Sequence, residues 1–467
     1  MVETSPGISS RPLRVAVVGS GPSGFYAAEA LFKTEGLSVC VDMFDRLPTP
    51  YGLVRGGVAP DHQKIKGVTR VYEKIAAHEG FRFFGNVELG RDLQVEDLTA
   101  CYDQIVYAVG NESDRSMGIP GEELGGVYSA TEFVGWYNGH PAFCDRQFDL
   151  SEATRVAVIG NGNVAMDVTR VLLQNPETLA ETDISDHALT QLRSSSVKEV
   201  VLLGRRGPAQ AAFSPKEIKE IAELEGCDLV VEPSDAKLDE LSVRWLAEKG
   251  SRAAQRNADF LTEQSTKGEG ESDRKVRCRF LVSPVELQGE GGGVCRVRIE
   301  RSELYEDDRG TPRPRGLDQF DEEEVQLVFR AVGYRGVPIA GVPFNEDWGT
   351  IPHAEGRVLT CEGGEPCPGH YVVGWAKRGP TGLIGTNSAD SKATVESMVA
   401  DASSLSPAEK GDINTLLADR SVDFVSWTDW QNLDRHETEM GESKGKVRDK
   451  LISIEAMMDV IGSMRDG

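Results

Sequence analysis

Residues 15–32 read Val-Ala-Val-Val-Gly-Ser-Gly-Pro-Ser-Gly-Phe-Tyr-Ala-Ala-Glu-Ala-Leu-Phe, the most informative pattern in the chain. The short apolar run predicts a strand, the glycines predict a tight turn, and the remainder predicts a helix. In such a turn Gly19 allows a sharp exit from the strand, Gly21 allows bare backbone to approach a pyrophosphate, and Gly24 allows close packing of helix and strand. The pattern indicates a dinucleotide-binding βαβ unit with the pyrophosphate at the helix N terminus.

A carboxylate follows this turn at the spacing that the unit requires. A second predicted strand, residues 37–44, leads to Asp45, which lies 21 positions after Gly24. A carboxylate roughly 20 residues beyond the third glycine accepts hydrogen bonds from ribose hydroxyl groups. Strand, helix and acidic residue agree, which makes a purely structural turn the weaker interpretation.

A second turn of the same kind comes 141 positions later. Residues 156–165 read Val-Ala-Val-Ile-Gly-Asn-Gly-Asn-Val-Ala, with Ala165 in place of the third glycine, as the pattern allows. The next predicted strand, residues 200–204, is followed by Arg205 and Arg206, whose guanidinium groups suit a 2′-phosphate. We therefore predict FAD in the first unit and NADPH, rather than NADH, in the second. The alternative is a solvated basic edge, as most exposed arginines form.

Composition limits the other possibilities. The chain has 467 residues, enough for two α/β domains, and a net charge of −24, which disfavours nucleic-acid binding. Its eight cysteines include no Cys-x-x-Cys pair, which argues against a dithiol centre, an iron–sulfur cluster or a zinc ribbon, so no metal is expected. The acidic stretch 303–324 is expected to form solvated loops.

The sequence shows no segment of signal-peptide type and no apolar stretch approaching the roughly 18 to 20 residues that span a bilayer. We therefore expect no transmembrane segment and a cytoplasmic protein. A mature organellar form would look the same.

Two apolar runs that end at a glycine, residues 102–110 and 326–334, are typical of crossovers between the domains of two-dinucleotide flavoproteins. They predict an α/β fold with two Rossmann-like, three-layer domains, the NADP domain being inserted into a discontinuous FAD domain. The expected bounds are 1–112 for the first part of the FAD domain, 113–335 for the NADP domain, and 336–467 for the second part with a C-terminal extension.

Two further segments have unusual composition. Residues 48–62 are dense in proline and glycine, and we interpret them as a rigid wall against a planar ring rather than a flexible linker. Residues 371–387 form a predicted strand and a glycine-rich helix entrance, which would stabilise negative charge on a reduced flavin. Trp375 could stack near the ring or fill the core, and the sequence leaves both open.

Seven blocks closely resemble the adrenodoxin reductase-type ferredoxin:NADP+ reductases, bacterial and mitochondrial. The likeness runs from about residue 14 to residue 430. The blocks are residues 19–24, 48–55, 58–62, 133–138, 160–165, 204–208 and 374–384. The sequence departs mildly from the family at Asp45, often Glu, at Tyr51, often Phe or Trp, and at Gly24, sometimes Ala.

The resemblance implies which residues hold the cofactors. Besides the turn glycines Gly19, Gly21 and Gly24, FAD would contact Ser23, Asp45, Leu53, Leu89, Trp375, Gly382, Leu383 and Ile384. NADP would contact Asn161, Gly162, Asn163, Val164, Arg205, Arg206 and Glu217, with Gly382 shared.

The expected activity is that of an NADPH:ferredoxin oxidoreductase. Hydride would pass from NADPH to flavin N5, followed by two one-electron transfers to a ferredoxin or adrenodoxin-like iron–sulfur protein. His62 is a candidate for proton relay or for shaping the donor side, though a structural role is credible. Because ferredoxins are usually acidic, docking needs a local basic patch, for which we propose Lys216 and Lys219.

Two alternatives remain open from the sequence. One is an NADPH-oxidising subunit similar to the small subunit of glutamate synthase, although the N-terminal cysteine cluster of that family is absent here. The other is a non-catalytic protein that uses FAD as a structural core, which the Arg205–Arg206 pair disfavours.

Overall fold

The computed structural model describes residues 7, 11–111, 113–405 and 408–465. The first segment alternates strands and helices: β1 Leu13–Val18, α1 Pro22–Phe32, β2 Val39–Phe44, α2 Leu53–Gly56, α3 Gln63–Lys66, α4 Thr69–Ala76, β3 Phe81–Phe84, α5 Val95–Cys101 and β4 Gln104–Tyr107.

The middle segment is the longest. It contains β5 Ser113–Asp114, β6 Val127–Ser129, α6 Ala130–Tyr137, β7 Arg155–Ile159, α7 Asn163–Leu173, α8 Pro176–Ala180, α9 Asp186–Arg193, β8 Glu199–Gly204, α10 Pro215–Ala222, β9 Cys227–Val231, α11 Pro233–Ala236, α12 Glu240–Glu248, α13 Arg252–Ser265, β10 Arg274–Phe280, β11 Val282–Glu290, β12 Gly293–Glu306, β13 Pro312–Glu324, β14 Leu327–Arg330 and β15 Tyr334–Arg335.

The last segment returns to the first. It contains β16 His353–Ala354, β17 Arg357–Leu359, β18 Pro366–Val372, α14 Trp375–Arg378, α15 Thr386–Asp401, α16 Ile413–Asp419, α17 Trp427–Ser443 and α18 Ile454–Arg465.

Two sheets organise the molecule. The seven-stranded sheet has the order β16-β17-β18-β4-β1-β2-β3, so it is built from both ends of the chain, with β18 parallel to β4. The six-stranded sheet, β6-β14-β7-β8-β10-β9, comes entirely from the middle segment and is parallel throughout. Helices and buried apolar side chains cover each sheet, which gives two Rossmann-like domains, as the sequence predicts.

The middle segment is joined to the rest by a narrow connection. Outgoing β5 pairs with returning β15 over two residues, Ser113 with Arg335 and Asp114 with Tyr334. Together with the composition of the two sheets, this connection supports our division at 112/113 and 335/336, which we keep as a proposal.

The acidic stretch 303–324 differs from the prediction. It is not a solvated loop: β11, β12 and β13 form an antiparallel sheet that includes it. Oppositely charged side chains face each other across its strands, as in the ion pair of Arg315 with Glu303 at 2.5 Å. Cross-strand pairs of this kind stabilise a sheet whose sequence is too polar to predict a strand.

Candidate functional site

Both glycine turns lie where a ligand reaches an open parallel sheet. The first follows β1, whose neighbours β4 and β2 lie on opposite sides, and the second follows β7 between β14 and β8. Such switch points in strand order place a crevice at the carboxyl ends of the strands. The strand, glycine turn and helix that follow one another in the sequence therefore form part of a binding crevice at each sheet.

A cavity of about 810 Å³ opens beside the first turn. Gly19 has a φ of +107°, and a Cβ there would lie 2.6 Å from the carbonyl oxygen of Ala108 on the neighbouring chain segment. A Cβ on Gly21 would meet no atom within 4 Å, so its bare backbone faces open space. The first glycine is required by the fold, whereas the second leaves room for a ligand.

Asp45 is fixed at the edge of this cavity. Its Oδ2 accepts hydrogen bonds from the backbone N–H of Ser20 at 3.0 Å and from the Ser20 hydroxyl at 2.5 Å, and its Oδ1 accepts from Leu47 N–H at 2.9 Å. Burial raises the pKa of the carboxyl group, while these donors oppose the rise. The carboxylate is thus held against the glycine turn and lines the cavity, as an acceptor for ribose hydroxyls must.

Residues 48–56 form one wall of the cavity, which supports the rigid-wall interpretation. Gly52 approaches the turn so closely that a Cβ on it would lie 3.1 Å from the Cα of Gly21. Tyr51, although not a glycine, has a φ of +84° and donates its N–H to Ser20 O at 3.0 Å. Leu53 and Arg55 follow on the same wall.

The chain after β18 supplies another wall. Trp375 is half-buried and lines the cavity, where its ring lies 5.4 Å from that of Tyr334, so it does not fill the core. Ser23, at the start of α1, donates its hydroxyl to Asn387 Oδ1 at 3.1 Å, which ties the first turn to α15. The other predicted FAD residues that line the cavity are Leu89, Gly382, Leu383 and Ile384.

Gly24 has a different position. It does not line the cavity but packs α1 against the preceding turn, where a Cβ would collide with the carbonyl oxygen of Gly19. This is the packing role that the motif assigns to its third glycine.

Asn111 lines the cavity but was not predicted from the sequence as a site residue. It is 3% exposed, and neither its Oδ1 nor its Nδ2 has a hydrogen-bond partner among the residues that the structure describes. Buried amides are normally paired, so this one fits a ligand that completes its hydrogen bonds. The only sequence signal was its place directly after the apolar run that ends at Gly110. Together with Asp45 and the open backbone of Gly21, it shows that the cavity fits FAD.

The Asn111→Ala variant tests this assignment. We expect FAD affinity to fall by about 5- to 150-fold, which corresponds to losing roughly 1–3 kcal/mol of hydrogen bonding. The apoprotein should be no less stable, because the amide loses no hydrogen bond to any described residue. Titration of apoprotein with FAD and urea unfolding of the apo form measure the two quantities. A destabilised apoprotein with unchanged FAD affinity would contradict the assignment.

The second turn has a similar geometry. Gly160 has a φ of +142°, and a Cβ on it would collide with Ala331 O, whereas a Cβ on Gly162 would meet nothing within 4 Å. The side-chain Nδ2 of Asn161 is buried and has no hydrogen-bond partner in the described part of the chain. Asn163 accepts a hydrogen bond from Ser214 N–H at 2.8 Å through Oδ1, which fixes α7 to the start of α10, and Val164 packs on the domain core.

Arg205 and Arg206 directly follow β8, as predicted. Arg205 is exposed and Arg206 half-buried, and in the part of the chain that the structure describes neither guanidinium group forms an ion pair. Burial and the neighbouring Arg205 and Arg313 lower the pKa of Arg206. Two unpaired cations at a strand end beside an open glycine turn suit the 2′-phosphate of NADP.

His62 belongs to a buried charged cluster between the two domains. Its Nε2 lies 3.0 Å from Glu220 Oε2 and 3.9 Å from Glu217 Oε2, and its Nδ1 lies 3.7 Å from Asp167 Oδ1. The structure therefore brings two predicted residues, His62 and Glu217, together. Neither lines the cavity beside the first turn.

Arg170 holds this cluster together and was missed from the sequence. Its guanidinium group contacts Asp61 at 2.6 Å, Asp167 at 2.6 Å and Glu217 at 3.2 Å. Burial and the nearby Asp167 raise the pKa of Glu217, so this carboxyl group retains a proton at higher pH than an exposed glutamate. Charged residues far apart in sequence carry no pattern that predicts such a cluster.

The chain is similar to known pyridine-nucleotide-dependent reductases. A family model described as pyridine nucleotide-disulphide oxidoreductase matches residues 13–226. NADPH-ferredoxin reductase FprA of Mycobacterium tuberculosis is 44% identical over 463 residues, which cover 96% of this chain and 99% of that protein. The mitochondrial NADPH:adrenodoxin oxidoreductase of Arabidopsis thaliana is 39% identical over 466 residues, which cover 96% and 95%.

A solved structure, Mycobacterium tuberculosis FprA in complex with NADPH, superposes with a TM-score of 0.90 at 44% sequence identity. The alignment covers 97% of this chain and 100% of that one. The similarity therefore extends over nearly the whole chain. Across the described residues, the structure contains no helix long and apolar enough to cross a membrane.

Proposed function

The chain belongs to the family of NADPH-ferredoxin and NADPH:adrenodoxin reductases, and we propose that it carries electrons from NADPH, through bound FAD, to a ferredoxin or adrenodoxin-like iron–sulfur protein. FAD supplies the exchange between a two-electron donor and a one-electron acceptor. The protein's residues hold the two nucleotides, orient them and exclude water.

The observation that carries this proposal is the contrast between the two turns. Asp45 offers a carboxylate beside the first turn, which suits a ribose with free hydroxyls, whereas Arg205 and Arg206 offer positive charge beside the second. A protein that used FAD only as a structural core would have no need of the second site.

The deciding experiment mixes the FAD-loaded protein anaerobically with NADPH, adds a ferredoxin from the same source, and follows flavin and iron–sulfur absorbance. We expect rapid flavin bleaching followed by ferredoxin reduction. Flavin bleaching without ferredoxin reduction would support oxidation of NADPH by the flavin but indicate a different electron acceptor. This is the result that the glutamate synthase-like alternative predicts. Absence of bleaching would overturn the proposal in favour of a non-catalytic FAD protein.

We further propose that His62 takes part in proton transfer or in shaping the side of the site that faces NADPH, the electron donor. It is 7% exposed, and its two ring nitrogens lie 3.0 to 3.9 Å from carboxylate oxygens of Asp167, Glu217 and Glu220. We expect His62→Ala to lower the rate of flavin reduction by about 10- to 100-fold, at the lower end of what a positioned acid–base group contributes. Stopped-flow rates of flavin reduction and reoxidation that both match the wild type would leave His62 with a structural role only.

Docking of the acidic partner is proposed to use Lys219 on α10. Lys216 forms an ion pair with Glu220 at 2.7 Å, whereas Lys219 is exposed and has no ion pair within the described residues. We expect Lys219→Glu to raise the KM for ferredoxin several-fold at low salt and to leave NADPH-dependent flavin reduction unchanged. Lys74→Glu is the control, because Lys74 is also an exposed lysine and lies on α4. Equal KM values for both variants, or salt-independent ferredoxin reduction by the wild type, would exclude this surface.

A cytoplasmic location also remains our proposal. Cell fractionation with an antibody against the protein tests it.

A further inference from the structure

A segment between α17 and α18, residues 444–452, crosses from the FAD domain to the inserted middle segment. We call it the C-terminal strap. Lys446 donates to Ile184 O at 2.7 Å and pairs with Asp186 at 2.6 Å, and the strap backbone donates from Val447 N–H to Glu181 O at 3.2 Å. All three partners belong to the loop before α9 or to the first residue of that helix.

Lys450 makes the deepest contact of the strap. Its Nζ, in a side chain that is 2% exposed, lies 2.9 Å from Asp183 Oδ2 and donates to Asn138 O at 3.0 Å. Asp183 also accepts from Lys66 Nζ of α3 at 2.6 Å. One buried carboxylate of the insert thus joins a lysine from each part of the FAD domain.

The other side of the strap is fixed to the FAD domain by Glu437 of α17, which is fully buried. Its Oε1 accepts from Leu451 N–H at 2.9 Å, and its carboxylate pairs with Arg448 at 3.0 Å and with Arg55 at 2.6 Å. Arg55 and Asn138 both line the cavity beside the first glycine turn. The strap therefore connects the cavity wall to the insert.

This connection matters because the two chain segments that lead into and out of the insert pair with each other over a short length only. The insert leaves and returns through β5 and β15, a two-residue ladder, and an isolated two-stranded ladder is marginally stable by itself. The His62 cluster joins the domains at one place, and the strap joins them at another.

We propose that Lys450 and Lys446 are positioning residues: through the strap they fix the orientation of the NADP domain relative to the FAD cavity, and so set the rate at which NADPH reduces the flavin. Electron-pair transfer depends steeply on alignment, and a misplacement of about 1 Å can cost about 10²-fold in rate. The second glycine turn and the Arg205–Arg206 pair, which we expect to bind most of NADPH, lie within the insert, so its affinity should depend little on the strap. The proposal rests on the proposed function, because it concerns oxidation of NADPH.

Stopped-flow reduction of FAD-loaded Lys450→Met by NADPH provides the test. Methionine keeps the volume of the side chain, and Lys66 remains to pair with Asp183, so the fold should survive. We expect the limiting rate of flavin reduction to fall at least tenfold, with an unchanged apparent Kd for NADPH and an unchanged flavin midpoint potential in a dithionite titration. A lysine that only stabilised the fold would lower the unfolding midpoint and leave the limiting rate as it was.

Lys446→Met is the second variant. Lys410→Met is the control, because Lys410 donates to Thr99 O of the FAD domain and, among the described residues, to no group of the insert. We expect Lys446→Met to slow flavin reduction and Lys410→Met to match the wild type. If Lys450→Met fails to fold, Lys446→Met decides, since its partner Asp186 is half exposed. Wild-type limiting rates in both strap variants, a slowing equal to that of the control, or failure of both to fold with FAD would each overturn the proposal. A wild type that NADPH does not bleach would instead overturn the proposed function.

Discussion

Replacing Arg205 and Arg206 with alanine is expected to lower kcat/KM for NADPH by about 10²-fold or more and to leave kcat/KM for NADH nearly unchanged. Hydrogen bonds to a charged group contribute roughly 1.5–3 kcal/mol each, and every 1.4 kcal/mol is about a factor of ten. Both guanidinium groups lack a counter-charge within the described residues, so they are available to a 2′-phosphate. NADH has no such group and loses nothing.

Steady-state kinetics with both nucleotides measure this change in preference. Arg244→Ala is the control, because Arg244 lies in the same domain but pairs with Glu306 at 2.6 Å. An unchanged ratio of kcat/KM for NADPH and NADH in the double variant would show that the two arginines form the solvated basic edge that the sequence left open.

Replacing Glu437 with glutamine is expected to destabilise the FAD-loaded protein by about 3–5 kcal/mol. The substitution removes a fully buried negative charge shared by Arg55 and Arg448, and breaking a buried ion pair leaves the remaining charges without compensation. Glu439→Gln, an exposed glutamate on the same helix, should change the free energy of unfolding by less than about 0.5 kcal/mol. Urea unfolding at constant FAD concentration compares the two.

The deficit of Glu437→Gln should also depend on pH in a defined direction. Burial alone would raise the pKa of Glu437, but Arg55 and Arg448 outweigh it and hold the pKa below its usual value. A depressed pKa in the folded state gives stability that is present above the unfolded pKa of about 4.3 and is lost as the pH falls through the folded value. The wild type should therefore approach the variant at acidic pH. A deficit that grows on acidification, or one no larger than that of Glu439→Gln, would contradict the ion-pair explanation.

The sequence predicted the parts of the molecule that depend on short-range pattern. Strand, glycine turn and helix are adjacent along the chain, and so the two dinucleotide units and the placing of Asp45 and Arg205 after their strands could be read directly. The proline- and glycine-rich wall was equally readable, because backbone freedom at Gly52 is a local property.

The remainder depends on contacts between distant residues. Asp183 and Lys450 are 267 positions apart in the sequence, and no local pattern marks either residue. Asn111 stands out because its buried amide has no hydrogen-bond partner among the described residues, and this is visible only in the folded structure. The acidic strands were misread because their stabilisation comes from cross-strand ion pairs, whereas sequence periodicity reports burial.

The return of the chain to its first sheet also decides the order in which the molecule can be completed during synthesis. All six strands of the NADP sheet lie between residues 127 and 330, so that domain can close as soon as they have left the ribosome. The first four strands of the other sheet must wait with an edge of β4 uncovered until Pro366–Val372 arrives. An exposed strand edge invites pairing with other chains, and long-range closure is slow. The FAD domain, whose synthesis begins first, is therefore completed last. Its uncovered strand edge is the part of the molecule that chaperones would most need to protect.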